Sequence, residues 1–237
     1  MKSSKIGLSI LAVASLYSGL NAQNLGDAIS NGKITGEVAA TYEGRRVDKE
    51  IPMWKNYYSD TNYSVGSLAL KYETDQWYNL SAAAKFRGYA TIFEGGKGEE
   101  HYKGYGDAAE RFWETDGKKN SDLEEGYLKY KLNNFSVIAG RQAISTDWVN
   151  KTHDAVRAGA TFGDTTVDAI WSYKHGRIYA RDYRPMEKIN DDRGVYKLDV
   201  TYKFNQYVSA SVYDFMAPDA RDIYGGKLNF TLCQTKC

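Results

Sequence analysis

Charged side chains recur at every second residue through much of this sequence, and apolar residues fill the positions between them. Lys71 and Glu73, Lys85 and Arg87, and the series Glu125, Tyr127, Lys129, Lys131 are spaced in this way. Glu37 sits two residues from Thr35, Arg157 four from Thr161, and Asp168 two from Thr166. Residues two apart share one face of a strand. Charges at every level of such a face cannot be buried dry without a heavy desolvation cost, so they need water or dense mutual pairing. The chemistry this suits is solvation of small polar molecules rather than bond making. Basic residues outnumber acidic ones on this face. Lys71, Lys85, Arg87, Lys129 and Arg157 are therefore candidates for an interior that favours anionic or carboxylate-bearing solutes, with Glu37 and Asp168 as acidic lining candidates. Taken singly, each also fits a solvated or paired residue with no selective role.

Bond-making chemistry finds less support. Covalent catalysis needs a nucleophile, a base and an orienting group within reach of one another. The histidines are His101, His153 and His175, and the suggestive neighbours are His153-Asp154 and Ser172 with His175. Strict alternation places Ser172 and His175 on opposite faces of one strand. No nucleophile motif is evident, so the sequence is read as non-enzymatic, with no cofactor and no metal. A third class, an adhesin or receptor, would use the segment 91–122 with His101, Tyr102, Tyr105, Phe112 and Trp113; the same segment could instead fold inward. The pair Asp191-Asp192 lacks the spacing of a calcium loop.

The elements that must carry these faces are strands. About ten stretches alternate apolar and polar residues at period two, over 33–45, 63–74, 78–90, 123–132, 135–143, 155–163, 164–175, 192–204, 206–217 and 223–232. Their connections sort by parity. Tight turns at 74–77, 133–134, 163–164 and 205–206 alternate with segments that are mostly longer, at 46–62, 91–122, 144–154, 176–191 and 218–222. Short turns at one end and long loops at the other, with strands of about 9–11 residues, are what a transmembrane β-barrel requires. The expected fold is thus an all-β, antiparallel up-and-down transmembrane β-barrel with a water-filled lumen. The outward aromatics fall into two sets by height. Tyr72, Tyr78, Phe135, Phe162, Phe204 and Phe230 lie toward the short turns, and Tyr42, Tyr173, Tyr196 and Tyr224 toward the loops. Two such girdles are expected at the two interfaces of a bilayer.

Residues 1–22 read as a secretory signal peptide. Lys2 and Lys5 precede a short apolar core from Ile6 to Leu16, and Leu20-Asn21-Ala22 supplies a small-residue exit. That core is too short to span a bilayer as a helix. Residues 23–237 form the barrel domain, expected in a bacterial outer membrane after export through the periplasm, among lipid and lipopolysaccharide. The 237 residues include 20 Tyr, 5 Trp and 22 Gly but only 3 Pro, and the formal net charge of +1 argues against binding nucleic acid through a basic surface. Cys233 and Cys237 lie at the extreme C-terminus, placed to form a small disulfide in an oxidising compartment.

Gly140-Arg141-Gln142 closing a strand, followed by a loop with Asp147-Trp148 and then paired strands, resembles the OprD-like family of outer-membrane porins. The export signal and the strand–loop rhythm are similar as well. The resemblance implies a passive channel for small polar solutes, trimeric or monomeric, with basic residues in the lumen and Arg141 among them. Such porins have roughly eighteen strands, so the resemblance also implies that this chain is part of a larger barrel, incomplete at its C-terminus.

Overall fold

The computed structural model describes residues 12–15, 24–45, 61–95, 120–180 and 182–231. Most of the predicted signal peptide, most of loop 91–122 including His101 and Trp113, and both cysteines lie outside the described residues. What is described is almost entirely one antiparallel sheet. Its elements are β1 (Ala12–Ser15), a short helix α1 (Leu25–Ser30), β2 (Lys33–Arg45), β3 (Thr61–Glu73), β4 (Leu80–Gly95), β5 (Ser121–Leu132), β6 (Phe135–Ser145), β7 (Asn150–Phe162), β8 (Thr165–Tyr179), β9 (Asp182–Lys188), β10 (Val195–Lys203), β11 (Val208–Ala217) and β12 (Arg221–Phe230). Each strand pairs with its neighbours in sequence, except that β8 pairs with both β9 and β10. β1, which lies inside the predicted signal peptide, pairs with Thr35–Val38 of β2. The hydrogen-bonded path ends at β12, and no pairing joins β12 to β1 or β2 among the described residues. No described helix is long and apolar enough to cross a membrane.

Turn chemistry explains the tight connections. Asn133 and Gly163 adopt positive φ, the left-handed conformation that Asn and Gly tolerate best. Asn205 accepts backbone N–H bonds from Tyr207 and Val208 through its side chain, closing the turn between β10 and β11. At the same end, α1 is capped by Asn24, whose side chain accepts from the N–H of Asp27. Ala28 of that helix is buried, and its carbonyl accepts from the N–H of Asp75 beyond β3.

The sheet has its polarity reversed relative to a soluble protein. One face, called here the apolar face, presents Ile34, Val38, Leu68, Leu70, Phe86, Leu128, Leu198, Val212 and Leu228 largely uncovered, with Leu128 at 62% and Val212 at 60% exposure. The opposite, polar face buries Thr41, Ser67, Arg87, Glu124, Gln142 and Lys197, with Arg87 at 1%. Exposed aromatics cluster by height on the apolar face. Tyr78, Phe135, Phe162, Phe204 and Phe230 mark the short-turn end, and Tyr42, Tyr196 and Tyr224 the loop end.

Alternation is interrupted by bulges. Lys85 opposes Glu125 and Phe86 opposes Leu123, which makes Glu124 an extra residue on β5. Asp154 opposes Lys174 and Ala155 opposes Ser172, leaving Tyr173 extra on β8. Toward the loop end the buried face turns apolar in two places. Ile144, Val149, Ala155, Ile170, Val195, Phe215 and Ala217 form one cluster. Tyr63, Val65, Tyr89, Ile178 and Tyr183 form the other, with Met186 packed against it. In strand order β3 and β8 are separated by four strands. A cluster that holds Ile178 and Tyr183 together with residues of β3 and β4 therefore requires the sheet and the β8–β9 hairpin to curl over the polar face.

Candidate functional site

The densest chemistry lies on the polar face of β2, β3, β4 and β5. Arg87 projects from β4, and Nε donates to Glu124 Oε2 at 2.8 Å while Nη1 donates to Ser67 Oγ at 3.0 Å. Its Nη2 lies 2.8 Å from Glu37 Oε2, across β3. Lys85, two residues earlier on β4, donates to Glu124 Oε1 at 2.8 Å and to Glu37 Oε2 at 3.3 Å. Lys71 on β3 donates to Glu125 Oε2 at 2.8 Å and to the Tyr127 hydroxyl at 3.0 Å. Arg87 and Lys85 thus share Glu37 and Glu124, and Lys71 beside them is matched by Glu125 and, at 3.6 Å, Glu73. The buried guanidinium has hydrogen-bond partners on three sides. That is the condition under which a buried charge is tolerated.

Glu124 was not legible as a partner, because strict alternation turns it away from Glu125. The bulge places both on the polar face, one serving Arg87 and Lys85 and the other Lys71. The adjacent acidic pair Glu124-Glu125 is the trace it leaves in the sequence.

The other candidates lie apart from this network. Arg157 on β7 holds Asp168 of β8 through Nε, at 2.8 and 3.1 Å to the two carboxylate oxygens. Asp168 stands directly opposite Asp199 of β10, which is bonded to Lys197. Arg141 falls in the alternation set of Leu128 and Val156, not that of Gln142, since the register pairs it with Gly126 and Asp154. Its Nε donates to Asp154 Oδ1 at 2.8 Å and its Nη1 to the Leu123 carbonyl at 3.0 Å. It fills the gap that opens where the β5–β6 pairing stops at Gly126. Gly140 beside it has φ of +124°, and a Cβ there would stand 2.4 Å from the Gly126 carbonyl oxygen. Within the Gly140-Arg141-Gln142 motif the glycine is thus a demand of backbone approach. Gln142 points the other way and donates to the Ala155 carbonyl at 3.2 Å.

Lys129 stands opposite Ser81, nearer the short turns. Together with Lys131 and Lys203 it has no ion-pair partner among the described residues. The basic candidates therefore fall into two groups: Lys71, Lys85, Arg87, Arg141 and Arg157 are matched by carboxylates, and Lys129, near the short turns, is not.

Bond-making residues come closer together than alternation predicts. Because Tyr173 is bulged out, Ser172 and His175 lie on the same face, which corrects the expectation that they oppose each other. Ser172 meets His153, with Oγ 2.7 Å from Nδ1, and the His153 and His175 rings stand 4.9 Å apart. His153 Nε2 lies 2.8 Å from the Asn150 carbonyl, which assigns the proton to Nε2 and leaves Nδ1 to accept from Ser172. The third group is thus a carbonyl rather than a carboxylate. Ser172 has no exposed surface at all. Among the described residues no set of three or more His, Cys, Asp or Glu is placed to hold a metal ion.

Two loop-end segments cover the polar face. The turn 146–149 places Asp147 against Lys227 of β12 and the Trp148 ring 6.2 Å from Phe215. A hydrogen bond from Lys227 holds the Asp147 carboxyl below its usual range. The β8–β9 hairpin covers the opposite side, against β3 and β4. The chain matches no protein-family model and no curated protein.

Proposed function

We propose that this chain is an outer-membrane β-barrel that lets small hydrophilic solutes diffuse passively. The observation that carries the reading is the reversed polarity of a single up-and-down sheet, with apolar side chains uncovered on one face and paired charges enclosed on the other. In water, the uncovered Leu, Val, Ile and Phe positions form an apolar surface far larger than a soluble monomer presents. In lipid they are the contact surface, and the two aromatic belts sit at its interfaces.

Closure follows from the same reading. Lipid leaves no water to satisfy an open strand edge, so a spanning sheet must pair its ends. β2–β8 with β10–β12 make ten alternating strands, so β2 and β12 run antiparallel and can join directly, or through further strands of a larger barrel. Selectivity then arises at the turn end. Lys71, Lys85 and Arg87 are matched by carboxylates and contribute little field, whereas Lys129, Lys131 and Lys203 give that mouth a modest preference for anions.

Planar-bilayer conductance of the folded protein under a salt gradient tests both parts. Discrete steps with a reversal potential of anion-selective sign are the expected result, and Lys129→Gln should move that potential toward zero. Silence from protein shown to be folded and inserted sinks the channel reading.

A further inference from the structure

We propose that the β8–β9 hairpin is a lid latched across the loop end of the polar face, and that solute passes only when it lifts. The proposal rests on the channel reading. β8 runs beyond its last pairing with β10, Ser172 to Val195, and turns back to pair with β9 from Lys174–Lys188 to Tyr179–Asp182. A hairpin projecting above a barrel rim would leave its side chains in water. Here Ile178 and Tyr183 are fully buried against Tyr63 and Val65 of β3 and Tyr89 of β4. Four strands separate β3 from β8, so this contact is made across the polar face and not along the wall.

Two phenols fasten the hairpin. The Tyr183 hydroxyl donates to Asp122 Oδ2 of β5 at 2.9 Å, and the Tyr89 hydroxyl donates to the Tyr179 carbonyl at 3.2 Å. The two rings meet edge to face with centroids 5.8 Å apart. Directly beneath lies the network of Arg87, Ser67 and Glu124, so the lid and the charges close one passage in succession.

The root of the hairpin is built to bend. The register shifts between His175 and Arg177, and a Cβ on Gly176 would come within 2.6 Å of Met186 Sδ and 3.0 Å of the Arg184 carbonyl. Pro185 falls within that irregular stretch, outside the paired register, and carries no backbone N–H. The hairpin stays tied to the wall along one edge, where the Ile178 N–H donates to Thr152 Oγ1 at 3.3 Å and Lys151 lies over the Tyr179 ring. β9 pairs with β8 alone among the described residues and rests on the seat, which is the arrangement of a cover hinged along β7.

The test uses the full chain in vesicles, with Cys233→Ser and Cys237→Ser, and a Val65→Cys probe challenged with a small charged maleimide. The lid predicts slow labelling. Tyr89→Phe with Tyr183→Phe keeps both rings and removes both latch bonds, so labelling and channel opening should each rise by about tenfold. Ile178→Asp, which spoils the apolar seat, should raise them further. Labelling that is fast at the outset, or unchanged in all these variants, overturns the lid. Labelling that accelerates while no variant conducts upholds the lid and defeats the channel reading instead.

Discussion

Replacing Val212 by lysine separates a lipid-facing sheet from a water-facing one by the size of the effect. Val212 lies mid-strand on β11, opposite Val200 and Gly226, and is 60% exposed on the apolar face. In water such a substitution buries nothing and breaks no bond, so it should shift stability by no more than about 0.5 kcal/mol. In a bilayer the same lysine enters hydrocarbon, at a cost of about 2–4 kcal/mol near the midplane. Thr201→Lys on β10 is the control. Thr201 stands opposite Ser211 and Thr166 on the polar face, one register step from Val212, and its cost should stay under about 1 kcal/mol. Reversible denaturant unfolding in lipid vesicles measures both. A Val212→Lys penalty of about 3 kcal/mol amounts to more than a hundredfold in the folded-to-unfolded ratio, well beyond the error of the method. Equal penalties, or a larger one at Thr201, would refute the assignment of the apolar face to lipid.

Arg87→Met should cost about 3 kcal/mol in the same unfolding assay. This is the low end for breaking a buried ion pair, because Lys85 remains beside both stranded carboxylates; a change under about 0.5 kcal/mol would mean that the network contributes nothing. Gly140→Ala should cost about 3 kcal/mol or prevent folding, since it adds both an unfavourable φ and a clash with the backbone of β5. Gly163→Ala has positive φ but open space around it, so it should cost only about 1 kcal/mol.

Strand order and the two faces were legible because period two persists wherever one face must differ from the other. The alternation over 33–45 predicts a strand with the bounds that β2 has, and Asn and Gly mark the tight turns at 133–134 and 163–164 where they fall. Strands β4, β7 and β8 run past the expected limits toward the loop end, where the alternation lapses: Ile92-Phe93 and Ile178-Tyr179 set two apolar residues in succession, and Asn150 to Asp154 holds none. β9 was hidden for a related reason, as Asp182-Tyr183-Arg184-Pro185 looks like a loop and becomes a strand only through the long arm of β8. α1 is too short to show a helical period. In the charge network, positions on β2, β3 and β4 were readable, but Glu124 was not. A bulge is a local backbone choice that breaks the phase on which the whole reading depends. The meeting of His153 with Ser172 is hidden by the loop expected over 144–154, where β7 already begins at Asn150, and the shared face of Ser172 and His175 by the bulge at Tyr173.

The extra residue on β5 also packs more charge into one level of the face than an even pleat allows. An even pleat offers a side chain to one face once every two residues, roughly every 6.6 Å; the bulge offers two glutamates in succession. Substituting Glu124 alters one charge and leaves the strand in phase. Deleting it by a single codon would remove the bulge and leave Glu125 opposite Lys85 and Leu123 opposite Phe86, every side chain keeping its face. Asp122 would keep its place beside Tyr183, and the loss would be confined to the carboxylate that Arg87 and Lys85 share. The insertion of a residue, more than the exchange of one, is how this strand sets a second carboxylate at one level of the face.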